Sequence, residues 1–171
     1  MEGTKKGEII ILGMGNKLFG DDGVGIVIAE KLKVFLANIP QIKVEETNWG
    51  GFRIIDLLSG YKTAIIIDAL RTGKEPAGFI HKLDYKDLIH SVRMVSFHDV
   101  NFATAVEFAR EINIPMPKDI SVYAVEINEA DYFSEELTKE VDATVDVCIQ
   151  KILSEINERY GIETNHLEKI G

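Results

Sequence analysis

Carboxylates and one histidine follow three apolar segments of this sequence. Asp21 and Asp22 lie in the glycine-rich stretch "GMGNKLFGDDGVG" after the run "EIIIL", Asp68 ends the run "AIIID", and His98 and Asp99 follow "MVSF". Carboxylate and imidazole groups can bind borderline divalent metals, and both can take up or release protons. One histidine with two carboxylates would make a three-ligand metal site with positions left open for water or substrate.

The three apolar segments are predicted β-strands, over residues 8–14, 63–70 and 93–97. In open α/β sheets, ligands bind beyond the carboxyl ends of the strands. If these three strands are neighbours, Asp22, Asp68 and His98 meet at one edge of the sheet. The sequence therefore predicts a polar site at that edge.

Strand-like and helix-like segments alternate along nearly the whole chain, which predicts an α/β fold with three layers: a twisted, mostly parallel sheet flanked by helices on both faces. Some of the middle strands are expected to be antiparallel edges. The 171 residues are expected to form a single domain over residues 1–161, with a flexible tail over residues 162–171. The remaining predicted strands cover 41–47, 78–83 and 121–127, and the predicted helices cover 23–36, 52–58, 101–111 and 134–160, the last capped by Ser134.

Composition excludes several classes of function. The net charge of −9 argues against binding to nucleic acid or to an anionic membrane surface, and favours cations or a basic protein partner. No apolar run approaches the ~20 residues that span a bilayer. The polar N-terminus and the single cysteine, Cys148, predict a cytoplasmic protein without an internal disulfide.

The glycine-rich stretch does not match a phosphate-binding loop. The third glycine of a dinucleotide fingerprint would stand at residue 18, which is Leu18. A helix N-terminus attracts anions, but Asp21 and Asp22 already occupy that position and would repel a phosphate. This loop is therefore expected to recruit a cation.

Each candidate residue also has a purely structural interpretation. Asp21 could cap the helix that follows it with Asp22 as a first-turn acid, Asp68 could accept backbone hydrogen bonds at a strand end, and His98 could be a structural histidine. Asn16 could be a turn former, and Gly50 and Gly51 in "NWGGF" a turn before a helix.

Other titratable residues are expected to have no part in the chemistry. Cys148 lies on the apolar face of the last predicted helix and is expected to be a buried, inert thiol. We assign no role to His81, His90 and His166. The acidic cluster is expected to be solvated surface, and it comprises Glu126, Glu129, Asp131, Glu135 and Glu136.

The motifs "GMGNKLFGDDGVG", "NWGGF", "IIIDAL" and "SFHDV", in this order, resemble those of the maturation endopeptidases of [NiFe] hydrogenases. Members of that family are small cytoplasmic proteins with a twisted sheet flanked by helices. The resemblance implies an endopeptidase that removes a C-terminal extension from the hydrogenase large-subunit precursor once nickel has been inserted. It also suggests a monomer.

The resemblance implies roles for particular residues. The family's metal ligands fall on Asp22, Asp68 and His98, and its double glycine, which contacts substrate, falls on Gly50 and Gly51; we add Asn16 as a candidate substrate-binding residue. The family often places threonine after the two glycines, whereas this chain has Phe52. The implied metal is Ni²⁺ carried by the substrate, and the ligands would also accept Zn²⁺ as a surrogate.

No serine, threonine or cysteine has the sequence context of an activated nucleophile, and no His-Glu-x-x-His motif is present. Proteolysis would therefore use water activated by a metal or a carboxylate. Two other interpretations stay open: a non-catalytic maturation factor that binds nickel or the precursor, and a nucleotide-binding α/β module.

Overall fold

Five β-strands form one sheet in the computed structural model, which describes residues 8–48, 50–86, 102–128 and 132–164. The strands are β1 (Ile9–Met14), β2 (Ile42–Thr47), β3 (Thr63–Leu70), β4 (Ile80–Asp84) and β5 (Asp119–Glu126). Their order across the sheet is β2-β1-β3-β5-β4. The first four in this order run parallel, and β4 pairs antiparallel with β5.

The central strands are apolar because both of their faces are covered. Every residue of β1 and β3 is buried, as a strand needs when helices pack on both sides of a parallel sheet. The strand β2 instead alternates, with Ile42 and Val44 buried and Lys43 exposed. This pattern is typical of a strand with one face on the core.

The helices lie in two layers on opposite faces of the sheet. Their bounds are α1 (Val24–Phe35), α2 (Arg53–Leu58), α3 (Phe102–Glu111) and α4 (Lys139–Tyr160), and a single 3₁₀ turn (Gly20–Gly23) precedes α1. A hydrophobic core lies on each face of the sheet, and successive residues of β1 point into opposite cores. Ile9 and Ile11 pack with α1 and α4, whereas Ile10 and Leu12 pack with α2 and α3. The three-layer α/β fold is thereby confirmed.

Two glycines let α1 approach the sheet closely. A Cβ on Gly25 would lie 2.3 Å from the carbonyl oxygen of Met14 and 2.4 Å from that of Ile67. A Cβ on Gly13 would lie 2.3 Å from the carbonyl oxygen of Gly25. The first turn of α1 therefore rests directly on the carboxyl ends of β1 and β3.

Most predicted elements are present with bounds shifted by no more than two residues. The prediction for the last helix was wrong at its start: α4 begins at Lys139 with Thr138 as N-cap, not at Ser134. Ser134 instead forms a parallel bridge with Phe19, which commits its backbone to pairing with another segment. The antiparallel edge strand is β4, and the strand predicted over residues 93–97 lies outside the described residues.

The end of the described chain is packed. Ile162 lies against the core, and the buried Thr164 donates a hydrogen bond from its hydroxyl to the carbonyl oxygen of Leu153 at 3.3 Å. The flexible tail stays a prediction, since residues 165–171 fall outside the described part of the chain. Across the described residues, no helix combines the length and the apolar character that crossing a membrane requires.

Candidate functional site

Asp68 is a fully buried carboxylate near the end of β3. Its relative exposure is 0%, and its Oδ1 accepts a hydrogen bond from the N–H of Ala69 at 2.8 Å. The residue before it, Ile67, pairs with Gly13 of β1. Asp68 therefore stands where β1 ends and the glycine-rich loop begins.

Asp22 lies in the 3₁₀ turn that this loop forms, and it is 9% exposed. Its backbone N–H donates to the carbonyl oxygen of Phe19 at 3.2 Å, and its own carbonyl oxygen accepts from the N–H of Asn16 at 3.3 Å. Gly15 has a φ of +140°, and a Cβ there would lie 2.0 Å from the Asp22 carbonyl oxygen. Only glycine fits at residue 15, so the loop folds tightly around Asp22.

The structure brings Asp22 and Asp68 to the same edge of the sheet. Gly25 follows Asp22 by three residues and packs on the carbonyl oxygen of Ile67, the neighbour of Asp68. The 3₁₀ turn also contacts β3 directly. The sequence-based prediction that these two acids meet at one edge is therefore supported by the packing of α1 and β3.

Two buried carboxylates at one edge fit a divalent cation. Burying a negative charge is unfavourable unless hydrogen bonds, a counter-charge or a metal compensate for it. Carboxylate oxygens are suitable ligands for such a cation. His98, the third predicted ligand, lies outside the described residues, and within the described ranges no three His, Cys, Asp or Glu side chains are grouped closely enough to hold a metal.

Asp21 does not cap the helix that follows it. Its Oδ1 accepts from the N–H of Thr138 at 2.7 Å and its Oδ2 accepts from the Thr138 hydroxyl at 2.8 Å. The structural interpretation of Asp21 as the N-cap of α1 was therefore wrong, because Gly23 occupies that position. Asp21 therefore ties the glycine-rich loop to the start of α4.

A groove with a volume of about 530 Å³ runs beside the loop. Asn16 lines it, together with Asn48 and Arg53 on either side of the Gly50–Gly51 pair. The Asn16 carboxamide also accepts a hydrogen bond from the N–H of Leu18 at 3.1 Å, which makes it a turn former as well. Of the candidate substrate-binding residues, Asn16 therefore lines the groove, and Gly50 and Gly51 lie in the short segment between two other lining residues.

The residue after the two glycines packs on α3. Phe52 and Phe108 meet edge to face, with ring centroids 5.4 Å apart. Gly51 has a φ of +68°, a left-handed conformation that favours glycine at this turn. Phe52 is therefore held by an aromatic partner on a neighbouring helix.

The prediction that Glu126 is solvated surface was wrong. Glu126 is 1% exposed and accepts hydrogen bonds from the N–H groups of Thr72 and Gly73 at 2.7 and 2.9 Å. His81, to which the sequence assigned no role, places Nε2 2.9 Å from Glu126 Oε2. Burial raises the pKa of Glu126, but these hydrogen bonds outweigh burial and hold its pKa below the ordinary value.

Glu126 thereby binds the backbone of the loop that follows β3, the strand that carries Asp68. The first of these hydrogen bonds is two residues beyond the end of that strand. A signal for it was present in the sequence, since Glu126 continues the apolar run "SVYAV" and a strand residue in such a run is expected to be buried.

The fold and the site define an α/β protein with paired acids at the carboxyl edge of a mostly parallel sheet. The sequence model of the hydrogenase maturation protease family HycI matches residues 26–155 of this chain. A protein of Methanocaldococcus jannaschii, provisionally named a hydrogenase maturation protease, is 30% identical over 161 residues, which cover 90% of this chain and 99% of that protein. The chain belongs to the hydrogenase maturation protease family.

Solved structures share the fold. The hydrogenase maturating endopeptidase HybD from Escherichia coli superposes with a TM-score of 0.71 at 23% identity, covering 89% of this chain and 93% of that one. The [NiFe] hydrogenase maturation protease HycI from Thermococcus kodakarensis superposes with a TM-score of 0.68 at 22% identity, covering 85% and 89%. The matched family is one of hydrogenase maturation proteases, which makes this chain a peptidase of that class.

Proposed function

We propose that this protein is the endopeptidase that removes a C-terminal extension from the precursor of a [NiFe] hydrogenase large subunit after nickel insertion. The observation that supports this most is the pair of buried carboxylates, Asp22 and Asp68, at one sheet edge of a chain that belongs to the maturation protease family. His98 is proposed as the third ligand, from the sequence motif that contains it.

The nickel is proposed to arrive with the substrate. Asp22, Asp68 and His98 would bind it as the loaded precursor docks, and Zn²⁺ would be an acceptable surrogate for the same oxygen and nitrogen donors. A cation at this position supplies polarisation of the scissile carbonyl and of a water molecule. Cleavage would then report on nickel insertion, because an empty precursor brings no cation.

The residues of this chain would position the peptide and move protons. A carboxylate oxygen of Asp22 or Asp68 that is not engaged as a ligand accepts a proton from the attacking water, whose oxygen bonds to the carbonyl carbon. The C–N bond then breaks, and the proton passes to the leaving amine. Asn16 lines the groove that would receive the precursor chain, and Gly50 and Gly51 lie in the segment between its lining residues Asn48 and Arg53.

The only cysteine of the sequence is a poor nucleophile, which favours water as the attacking group. Cys148 is 0% exposed on α4, and burial raises the pKa of its thiol to about 12. A thiol with such a pKa stays protonated at neutral pH, and the thiolate is the nucleophilic form.

The experiment is a processing assay with the full-length protein and the purified large-subunit precursor, with and without nickel, followed by mass spectrometry of the large subunit. We expect a loss of mass only with the nickel-loaded precursor. The variants Asp22→Asn, Asp68→Asn and His98→Ala should each slow cleavage by at least about 100-fold, a typical loss when a catalytic group is removed.

Val34→Ala is a suitable control, because Val34 is 77% exposed near the end of α1, away from the sheet edge. Cleavage that persists in all three site variants would remove this site from the chemistry. A precursor that binds but keeps its full mass would favour a non-catalytic maturation factor instead.

A further inference from the structure

Exposed apolar side chains cluster beside the 3₁₀ turn that carries Asp22. Leu18 is 44% exposed, Phe19 38%, Tyr132 37% and Phe133 75%. The Phe19 and Phe133 rings meet edge to face with centroids 6.3 Å apart. We call these four residues the aromatic patch. Apolar side chains gathered at the surface from two separate segments mark an interaction site.

Backbone hydrogen bonds join the two segments that form the patch. The N–H of Gly20 donates to the carbonyl oxygen of Ser134 at 2.6 Å, and the N–H of Ser134 donates to the carbonyl oxygen of Leu18 at 3.0 Å. Gly20 has a φ of +55°, and a Cβ there would lie 2.6 Å from the Tyr132 hydroxyl. A surface that is ordered before binding loses little conformational entropy when a partner docks.

The patch is continuous with the candidate site. The carbonyl oxygen of Phe19 accepts the hydrogen bond from the Asp22 N–H, so a patch residue and a proposed ligand share one backbone turn. Leu18 also lines the groove that contains Asn16. A chain lying in the groove would therefore reach the patch at Leu18.

Negative charge borders the patch. Glu135 and Glu136 are exposed and follow Phe133 and Ser134 directly. The chain as a whole carries a net charge of −9. An apolar surface with an acidic border is complementary to an apolar segment flanked by lysine or arginine.

We propose that the aromatic patch is the docking surface for an apolar segment of the large-subunit precursor, flanked by basic residues and adjacent to the cleaved bond. This inference rests on the proposed function, which supplies the precursor as the occupant. An endopeptidase that acts on one bond of a large protein needs contacts beyond the reacting groups, and this surface adjoins them.

The test measures affinity separately from cleavage. The full-length protein with Asp68→Asn, which is expected to leave the precursor uncut, is titrated with purified nickel-loaded precursor. Phe133→Ser and Phe19→Ser in that background should weaken binding by about tenfold each, the loss expected at an exposed aromatic anchor. In the otherwise wild-type protein, the same substitutions should raise KM and leave kcat unchanged.

Val34→Ser is the matched control, because Val34 is 77% exposed and Phe133 75%, and it should bind like the parent protein. Higher salt should weaken binding, and Glu135→Gln with Glu136→Gln should remove most of that salt dependence. Affinities of the phenylalanine variants within twofold of the parent would overturn the proposal. So would a wild-type dimer in sedimentation equilibrium that Phe133→Ser dissociates, since the patch would then be an interface between two copies.

The two proposals fail in different ways. Precursor that is bound through the patch but never cut would refute the proposed function and leave the docking surface intact. Cleavage that depends on Asp22 and Asp68 but is unaffected by substitution of Phe19 and Phe133 would refute the docking surface and leave the proposed function intact.

Discussion

Asp21 and Thr138, 117 positions apart in the sequence, are joined by two hydrogen bonds that use both carboxylate oxygens of Asp21. This contact gives the two adjacent acids of the glycine-rich loop different tasks. Asp21 fixes the loop to the start of α4, and Asp22 lies in the buried 3₁₀ turn that contacts β3, the strand of Asp68. The pair "DD" is thus a structural acid followed by a candidate ligand.

Thr138→Val should destabilise the protein by about 1–3 kcal/mol, because the variant loses a hydrogen bond from its hydroxyl to a buried carboxylate and keeps the backbone one. Urea unfolding would measure the change. Thr138→Ser retains the hydroxyl and should come within about 1 kcal/mol of the wild type. Equal stabilities of the valine and serine variants would mean that the hydroxyl contact adds nothing.

Gly25→Ala should destabilise the fold by about 3 kcal/mol, the upper end of the usual cost of overpacking. A Cβ at this position meets two backbone carbonyl oxygens at 2.3 and 2.4 Å, and backbone atoms in a sheet cannot move aside cheaply. Helix propensity alone predicts the opposite sign, since alanine is favoured over glycine by about 1 kcal/mol. Thermal unfolding measures whether the variant loses or gains stability. Gln150→Ala, at an exposed position of α4, is the control.

Glu126→Gln should reduce the loss of stability in acid. The pKa of Glu126 is lowered in the folded state from its ordinary value of 4.5. Its contribution is therefore fully present above pH ~4.5 and is lost as the pH falls through the lower folded pKa. Urea midpoints measured at a series of pH values should fall less steeply below that point in the variant.

Glu75→Gln is the matched control for this comparison, because Glu75 is exposed in the same loop whose N–H groups donate hydrogen bonds to Glu126. It should follow the wild-type pH dependence. An identical pH dependence of the wild type and Glu126→Gln would contradict the role assigned to the buried carboxylate.

Cys148 should resist thiol reagents while the protein is folded. Its side chain is buried on α4 and the pKa of its thiol is about 12, so both access and thiolate formation are unfavourable. Labelling with a chromogenic disulfide near pH 8 should be slow in buffer and fast in denaturant. Rapid, stoichiometric labelling of the native protein would contradict this burial.

Sequence periodicity predicted the layers of the fold because the responsible signals are local. The apolar run of β3 and the spacing of Val141, Val145 and Cys148 on α4 are sufficient to predict a buried strand and an amphipathic helix. The strand-end rule likewise placed Asp22 and Asp68 at one edge.

The contacts that the sequence could not predict are between distant segments. Ser134 pairs with Phe19, so the last helix begins later than predicted. The carboxylate of Asp21, a candidate cap of α1, instead accepts hydrogen bonds from Thr138. Glu126 was misjudged because it was grouped with the acidic residues that follow the strand, although it continues an apolar run. Its hydrogen-bond donors come from a loop more than 50 positions earlier. Such pairings depend on tertiary packing and leave no periodic pattern in the chain.

The central claim is that Asp22, Asp68 and His98 share one divalent cation, and a crystal soaked with Zn²⁺ tests it most directly. An anomalous difference map at the zinc edge should contain a peak about 2.0–2.2 Å from a carboxylate oxygen of each aspartate and from a ring nitrogen of His98. A peak bound by other residues, or an imidazole of His98 directed away from the two aspartates in the zinc-soaked crystal, would contradict the account.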